Sequence, residues 1–76
     1  MKNRNSNKRE NPYIRKAVDS YGGTVELAQK LGTSPSRISE WLYETRAVPV
    51  KYAVKLEKLT IGEIKAKKLR PDIFED

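Results

Sequence analysis

"LAQKLGTSPSRISEWLY", residues Leu27–Tyr43, decides the fold. Two apolar stripes of helical period stand close together, with a Gly, a Thr and a Ser-Pro pair between them. Leu27, Ala28 and Leu31 share one helix face, and Ile38, Trp41 and Leu42 share the next. Gly32 breaks the first pattern; Ser34 offers an N-cap and Pro35 suits a first helical position. Two helices that cross steeply through a tight turn make particular demands. They need a small residue at the crossing, which is Ala28, and one tolerant of positive φ at the turn, which is Gly32. They also need two apolar side chains driven inward from the second helix, which are Ile38 and Trp41. A casual connection in a helical bundle requires no such combination. The spacing predicts a helix-turn-helix.

Working outward, Asn11-Pro12 is a helix start of the same kind, and Ile14, Ala17, Val18 and Tyr21 recur on one face behind it. Gly22-Gly23 ends that helix. Thr24 is expected to cap the second, with Glu26 in its first turn facing the positive end of the dipole. "TRAV" before Pro49 carries no helical period and reads as a loop. From Pro49 a fourth helix should run to about Leu59, turning Val50, Ala53, Val54 and Leu56 or Glu57 inward. "TIGE", residues 60–63, matches a capping box in which Thr60 and Glu63 bond reciprocally. A short fifth helix to about Lys68 would follow, burying Ile61 and Ile64, until Arg70-Pro71 stops it. No stretch alternates as a strand does. The expected fold is all-α with five short helices.

Composition narrows the function. A chain of 76 residues buries only about 60% of its unfolded surface, so a deep substrate pocket would consume most of its core. The absence of Cys and His removes disulfides, thiolate metal sites, Ser-His nucleophiles and the usual general base. No catalytic residue, metal, cofactor or small-molecule ligand is therefore expected, and the chain does not read as an enzyme. No apolar run approaches membrane-spanning length, and the basic start is followed by no apolar stretch, so no signal peptide is expected and a cytoplasmic protein without a membrane partner is predicted. A net charge of +6 points to a polyanion, most simply nucleic acid. Residues 1–10 are expected to form a disordered basic arm, either a flexible leader or a segment that settles on phosphates or in a minor groove. Residues 71–76 form a tail in which Ile73 and Phe74 either close the protomer's core or face a partner.

With Ala28, Gly32, Ile38 and Trp41 in place, the elbow resembles the helix-turn-helix of phage repressor and Cro proteins. The segment "RAVPVKYAVKLEKLTIGEIKAKKLRPDIF" is similar to the C-terminal half of Cro/YdaS-type regulators. Pro49, Tyr52-Ala53, Leu56-Glu57 and Leu69 to Asp72 carry that likeness, which spans roughly residues 12–74. The resemblance implies a lambda-repressor-like DNA-binding domain over residues 11–70. It further implies a homodimer that binds a pseudo-palindromic operator in double-stranded DNA and blocks transcription; a weak dimer completed on DNA is compatible with so small a chain.

A helix lying in the major groove presents its N-terminal residues and one outward stripe to base edges. Here those are Pro35, Ser36, Arg37, Ser39, Glu40 and Tyr43. Ser36 and Ser39 discriminate weakly, while Arg37 can read guanine or reach a phosphate. Glu40 is the unusual residue: it accepts from a cytosine amine, orients Arg37, or simply pairs with Arg37 on the helix surface. Phosphate contacts are expected at the helix starts Thr24 and Ser34, and the resemblance adds Arg46, Lys51 and Tyr52. Lys65, Lys67 and Lys68 read as a solvated basic face. Two other readings stay open: an antitoxin-type regulator of a toxin-antitoxin or prophage module, and a helical protein-interaction module.

Overall fold

Five helices occur among residues 9–74, which the computed structural model describes: α1 (Pro12–Tyr21), α2 (Thr24–Leu31), α3 (Pro35–Leu42), α4 (Val50–Leu59) and α5 (Ala66–Leu69). There is no strand among these residues. The basic arm expected at residues 1–10 lies mostly outside them. Asn11 caps α1 as its sequence suggests, its Oδ1 accepting from the backbone N–H groups of Tyr13 at 2.9 Å and Ile14 at 3.2 Å. Ser34 does the same for α3, accepting from the Arg37 N–H at 3.3 Å.

α2 starts differently from expectation. Thr24 is its first helical residue and not its cap; Gly23 holds the cap position at φ 137°, ψ 174°, a region essentially reserved for glycine. That conformation turns the chain out of α1 sharply enough for the helix to begin at once. At the elbow Gly32 adopts φ 77°, as the tight turn requires.

α1 and α3 both pack on α2, α1 also meets α3, and α4 spans α2 and α5. Ile14, Leu27, Leu31, Ile38 and Leu56 are fully buried at the centre, with Trp41 beside them. Burial of each such side chain contributes about 1.5–3 kcal/mol, a large share of the stability available to a domain this small. Val48 joins them at 2% exposure, although the loop around it shows no periodicity. It precedes Pro49, the cap of α4, and Ala53 lies buried one turn on, at the two positions of a hydrophobic staple. Val50, expected inward, is 38% exposed because Val48 already takes the core position at this end of α4. Leu56 turns inward. Glu57 does not fill the core but reaches across, its Oε1 accepting from the Ala66 N–H at 2.7 Å and so capping α5.

The end of α4 overturns the expected capping box. The Gly62 N–H donates to Glu57 O at 2.8 Å and the Ile61 N–H to Lys58 O at 3.1 Å, the paired bonds of a Schellman termination. The Thr60 hydroxyl donates back to Leu56 O at 2.8 Å and accepts from the Ile64 N–H, while the Glu63 carboxylate goes to Lys16 at 3.2 Å. Helix resumes only at Ala66, as a single turn that Arg70 ends. Ile64 is buried as expected. Ile61 is not: it is 93% exposed and sits at φ 54°, where a β-branched residue is strained.

The tail folds back. Phe74 packs half-buried on the core, while Ile73 stays half-exposed. Arg70 holds the turn, donating Nη1 to Val48 O at 3.0 Å and gripping both oxygens of Asp72 through Nε and Nη2.

Two outcomes follow from these ends. Left-handed backbone costs an L-residue about 1–2 kcal/mol, of which glycine's extra chain entropy returns part. Ile61→Gly should therefore stabilise the domain by ~0.5–1 kcal/mol and raise its thermal midpoint by about 2–8 °C. A lowered midpoint would show that the Ile61 side chain supports its turn. The Arg70 hydrogen bonds hold the Asp72 carboxyl below its ordinary value. A depressed folded value means that the clamp's contribution is complete above the unfolded pKa near ~3.9 and is lost as pH falls through the folded one. In a carboxyl-detected NMR titration, Arg70→Met should return Asp72 to the ordinary range.

Candidate nucleic-acid interface

α3 is eight residues long, and Ile38, Trp41 and Leu42 turn inward from it. What remains outward is the set expected to read bases. Pro35, Ser36, Arg37 and Tyr43 are exposed, whereas Ser39 and Glu40 are half-buried along the helix flank. The Arg37 guanidinium has no hydrogen-bonded or ionic partner among the described residues. The Glu40 carboxylate lies 3.6 Å from the Arg46 Nε, so of the alternatives left open for Glu40 the surface pair with Arg37 is not formed, and the following loop supplies the cation instead. That loop wraps back on the end of α3. The Glu40 carbonyl accepts from the Thr45 N–H at 3.0 Å, the Thr45 hydroxyl at 3.3 Å and the Arg46 N–H at 3.3 Å. Glu44 makes the reversal possible at φ 61°.

Ser34, Ser36, Arg37, Glu40 and Arg46 line a single concavity, with Trp41, Ala47 and Pro49. Residues expected to touch bases and residues expected to touch phosphates are thus brought together at the start of α3. Lys51 and Tyr52 adjoin this hollow in the first turn of α4. The Tyr52 ring leans on Trp41 at 5.2 Å between centroids, and the Lys51 Nζ lies 5.3 Å over it. Tyr52 is therefore as much a brace between α4 and α3 as a surface group. Thr24 stands apart, half-buried at the opposite end of α2 from the elbow.

One residue that fastens the elbow beside this hollow escaped the sequence reading. Lys55 donates from Nζ to Leu31 O at 2.8 Å, placing a cation on the C-terminal carbonyls of α2 beside Gly32. The partners lie 24 residues apart, and no local pattern announces the bond. Among the described residues no cluster of three acidic side chains could hold a metal ion, and no helix is long and apolar enough to cross a membrane.

Comparison with known proteins agrees with this fold. Residues 14–76 match the model of a family described as "Bacterial toxin YdaS". The chain is 35% identical over 66 residues to the Escherichia coli (strain K12) protein named "Putative transcriptional regulator YdaS", across 87% of this chain and 67% of that one. Its fold is similar to that of the Cro protein from "putative prophage element Xfaso 1" in Xylella fastidiosa strain Ann-1. That match has a TM-score of 0.74 at 34% identity and covers 84% of this chain and 97% of the other. The elbow and tail motifs, the helical order and these matches converge: the chain belongs to the Cro/YdaS family of helix-turn-helix proteins.

Proposed function

We propose that the chain is a sequence-specific DNA-binding transcriptional regulator of the Cro kind, without catalytic activity, acting in the cytoplasm on the nucleoid. It binds a pseudo-palindromic operator as a homodimer and blocks transcription by occupying it. The carrying observation is the outward half of α3, where Ser36, Arg37 and Glu40 share a hollow with Ser34 and Arg46. A helix presented in this way suits the major groove, and the flanking donors suit phosphates on either side. The naming of the two relatives supports the same reading.

In this reading Pro35, Ser36, Arg37, Ser39, Glu40 and Tyr43 face base edges. Thr24 opens α2 toward the backbone, and Ser34, Arg46, Lys51 and Tyr52 hold it near the elbow. One recognition helix spans too few base pairs to pick a site from a genome, and a dimer with half-sites about 34–36 Å apart answers that need. The description of the matched family favours a second reading, a DNA-binding antitoxin-type regulator within a toxin or prophage module. Purification from the native host separates the two. A stoichiometric small partner favours the module, and a chain isolated as a homodimer favours the lone regulator.

Fluorescence anisotropy against DNA from the chain's own upstream region, at two salt concentrations, tests the reading. Binding should weaken steeply with salt as phosphate-bound cations are displaced. No binding at low salt would reject the DNA reading and favour a protein-interaction module. Arg37→Ala should lower discrimination between preferred and altered operators by about 5- to 150-fold. Lys51→Ala should weaken all sequences alike and reduce the salt slope by about 1. A uniform loss for Arg37→Ala would move that residue to the phosphate set.

A further inference from the structure

We infer that Arg46 is a positioning residue for base reading: its Nε holds the Glu40 carboxylate on the groove side of α3 while its far terminal nitrogen engages a backbone phosphate. The inference rests on the reading of α3 as the groove helix and assigns Arg46 a second task within it.

A glutamate on a groove-facing helix needs a reason to be there. Duplex DNA carries one negative charge per ~1.7 Å of its axis, and an unpaired carboxylate brought against it weakens binding. Arg37, one turn earlier on the same helix, does not supply the counter-charge. Arg46 does, from the loop, with Nε 3.6 Å from the Glu40 Oε1. A guanidinium has donors on three nitrogens in a fixed plane, so a contact along its Nε edge leaves the donors of the far terminal nitrogen directed away from Glu40. The Arg46 side chain is 74% exposed, so that far nitrogen remains open to a phosphate.

The backbone on which this contact depends is fixed from both sides. Upstream, the Glu40 carbonyl takes bonds from the Thr45 N–H, the Thr45 hydroxyl and the Arg46 N–H. Downstream, Val48 is buried and its carbonyl accepts from the Arg70 Nη1 at 3.0 Å. Arg46 therefore starts from a set point relative to α3 and reaches Glu40 without rearranging the loop. A carboxylate so held accepts from a cytosine N4 amine and is repelled by the acceptor edges of guanine and thymine. Backbone contact and base preference become coupled through one side chain.

Lysine separates the two tasks, because a single ammonium can meet a phosphate but cannot span Glu40 and the backbone together. The probe is a duplex pool with a randomised central region, from which the wild-type full chain selects its preferred site. Binding of wild type, Arg46→Lys and Glu40→Gln is then measured on that duplex and on versions altered one base pair at a time. Wild type should favour C·G at one position of each half-site by at least about tenfold. Arg46→Lys should keep affinity for the altered duplexes within a few-fold and lose most of that preference. Glu40→Gln should shift the preference at the same position toward A·T, since a carboxamide pairs with adenine. If Arg46→Lys retains the full C·G preference, or Glu40→Gln leaves it unchanged, the inference is wrong while the DNA reading stands. If wild type enriches no sequence at all, both fail together.

Discussion

Helices eight residues long, such as α2 and α3, are mostly ends. The last four carbonyls of any helix have no partner within it, so half of each of these helices' acceptors must be satisfied from outside or by the turn that follows. The fold is organised around that need. The Lys55 ammonium takes the carbonyl of Leu31 at the end of α2, the Asn11 N–H takes that of Leu42 at the end of α3, and the Tyr21 hydroxyl takes that of Leu59 at the end of α4. Each bond also joins two elements distant in sequence, so closing a helix and setting its angle to a neighbour are one event. The elbow angle, and with it the direction in which α3 points, depends on these closures as well as on the apolar contacts of Ala28, Ile38 and Trp41.

Much of this was legible in the sequence, because the signals were local. Asn11-Pro12 and Ser34-Pro35 cap helices through bonds to residues two or three positions on, and Gly32 answers a steric requirement at its own φ. Errors arose where a local pattern had two physical outcomes. Thr-x-x-Glu at residues 60–63 fits a capping box, but the same stretch closes α4 as a Schellman turn once Ile61 takes the left-handed position and Gly62 follows it at positive φ. Gly23 outcompeted Thr24 as a cap because its backbone can reach a conformation that threonine cannot. The site was legible in part: the outward face of α3 follows from its inward face by subtraction. The Glu40–Arg46 and Lys55–Leu31 contacts, by contrast, need the loop path and the approach of α4. Val48 was missed because a staple involves one residue before a helix and one inside it, which breaks the period of both.

The placement of acidic residues gives the net charge its form. Glu10 and Asp19 share Arg15, Glu63 meets Lys16, Glu44 meets Arg9, Glu40 meets Arg46 and Asp72 meets Arg70. Exposed pairs of this sort are screened by solvent and add little to stability, so stability is a poor account of them. Their larger effect is on the outward field. Much of the negative charge is tied down locally, and the surplus of Lys and Arg is what a distant polyanion meets. Arg37, without an ionic partner among the described residues, belongs to that surplus.

The bond from Arg70 to the Val48 carbonyl sets an order of events during synthesis. α3 and the loop behind it leave the ribosome first, together with every residue proposed to face bases. The residue that fastens that loop comes more than twenty positions later. Until it emerges, the loop behind α3 lacks this tether. The loop's anchorage is thus completed near the end of translation, and a product cut short before Arg70 would keep α3 and its loop in sequence but leave the Val48 carbonyl without this donor.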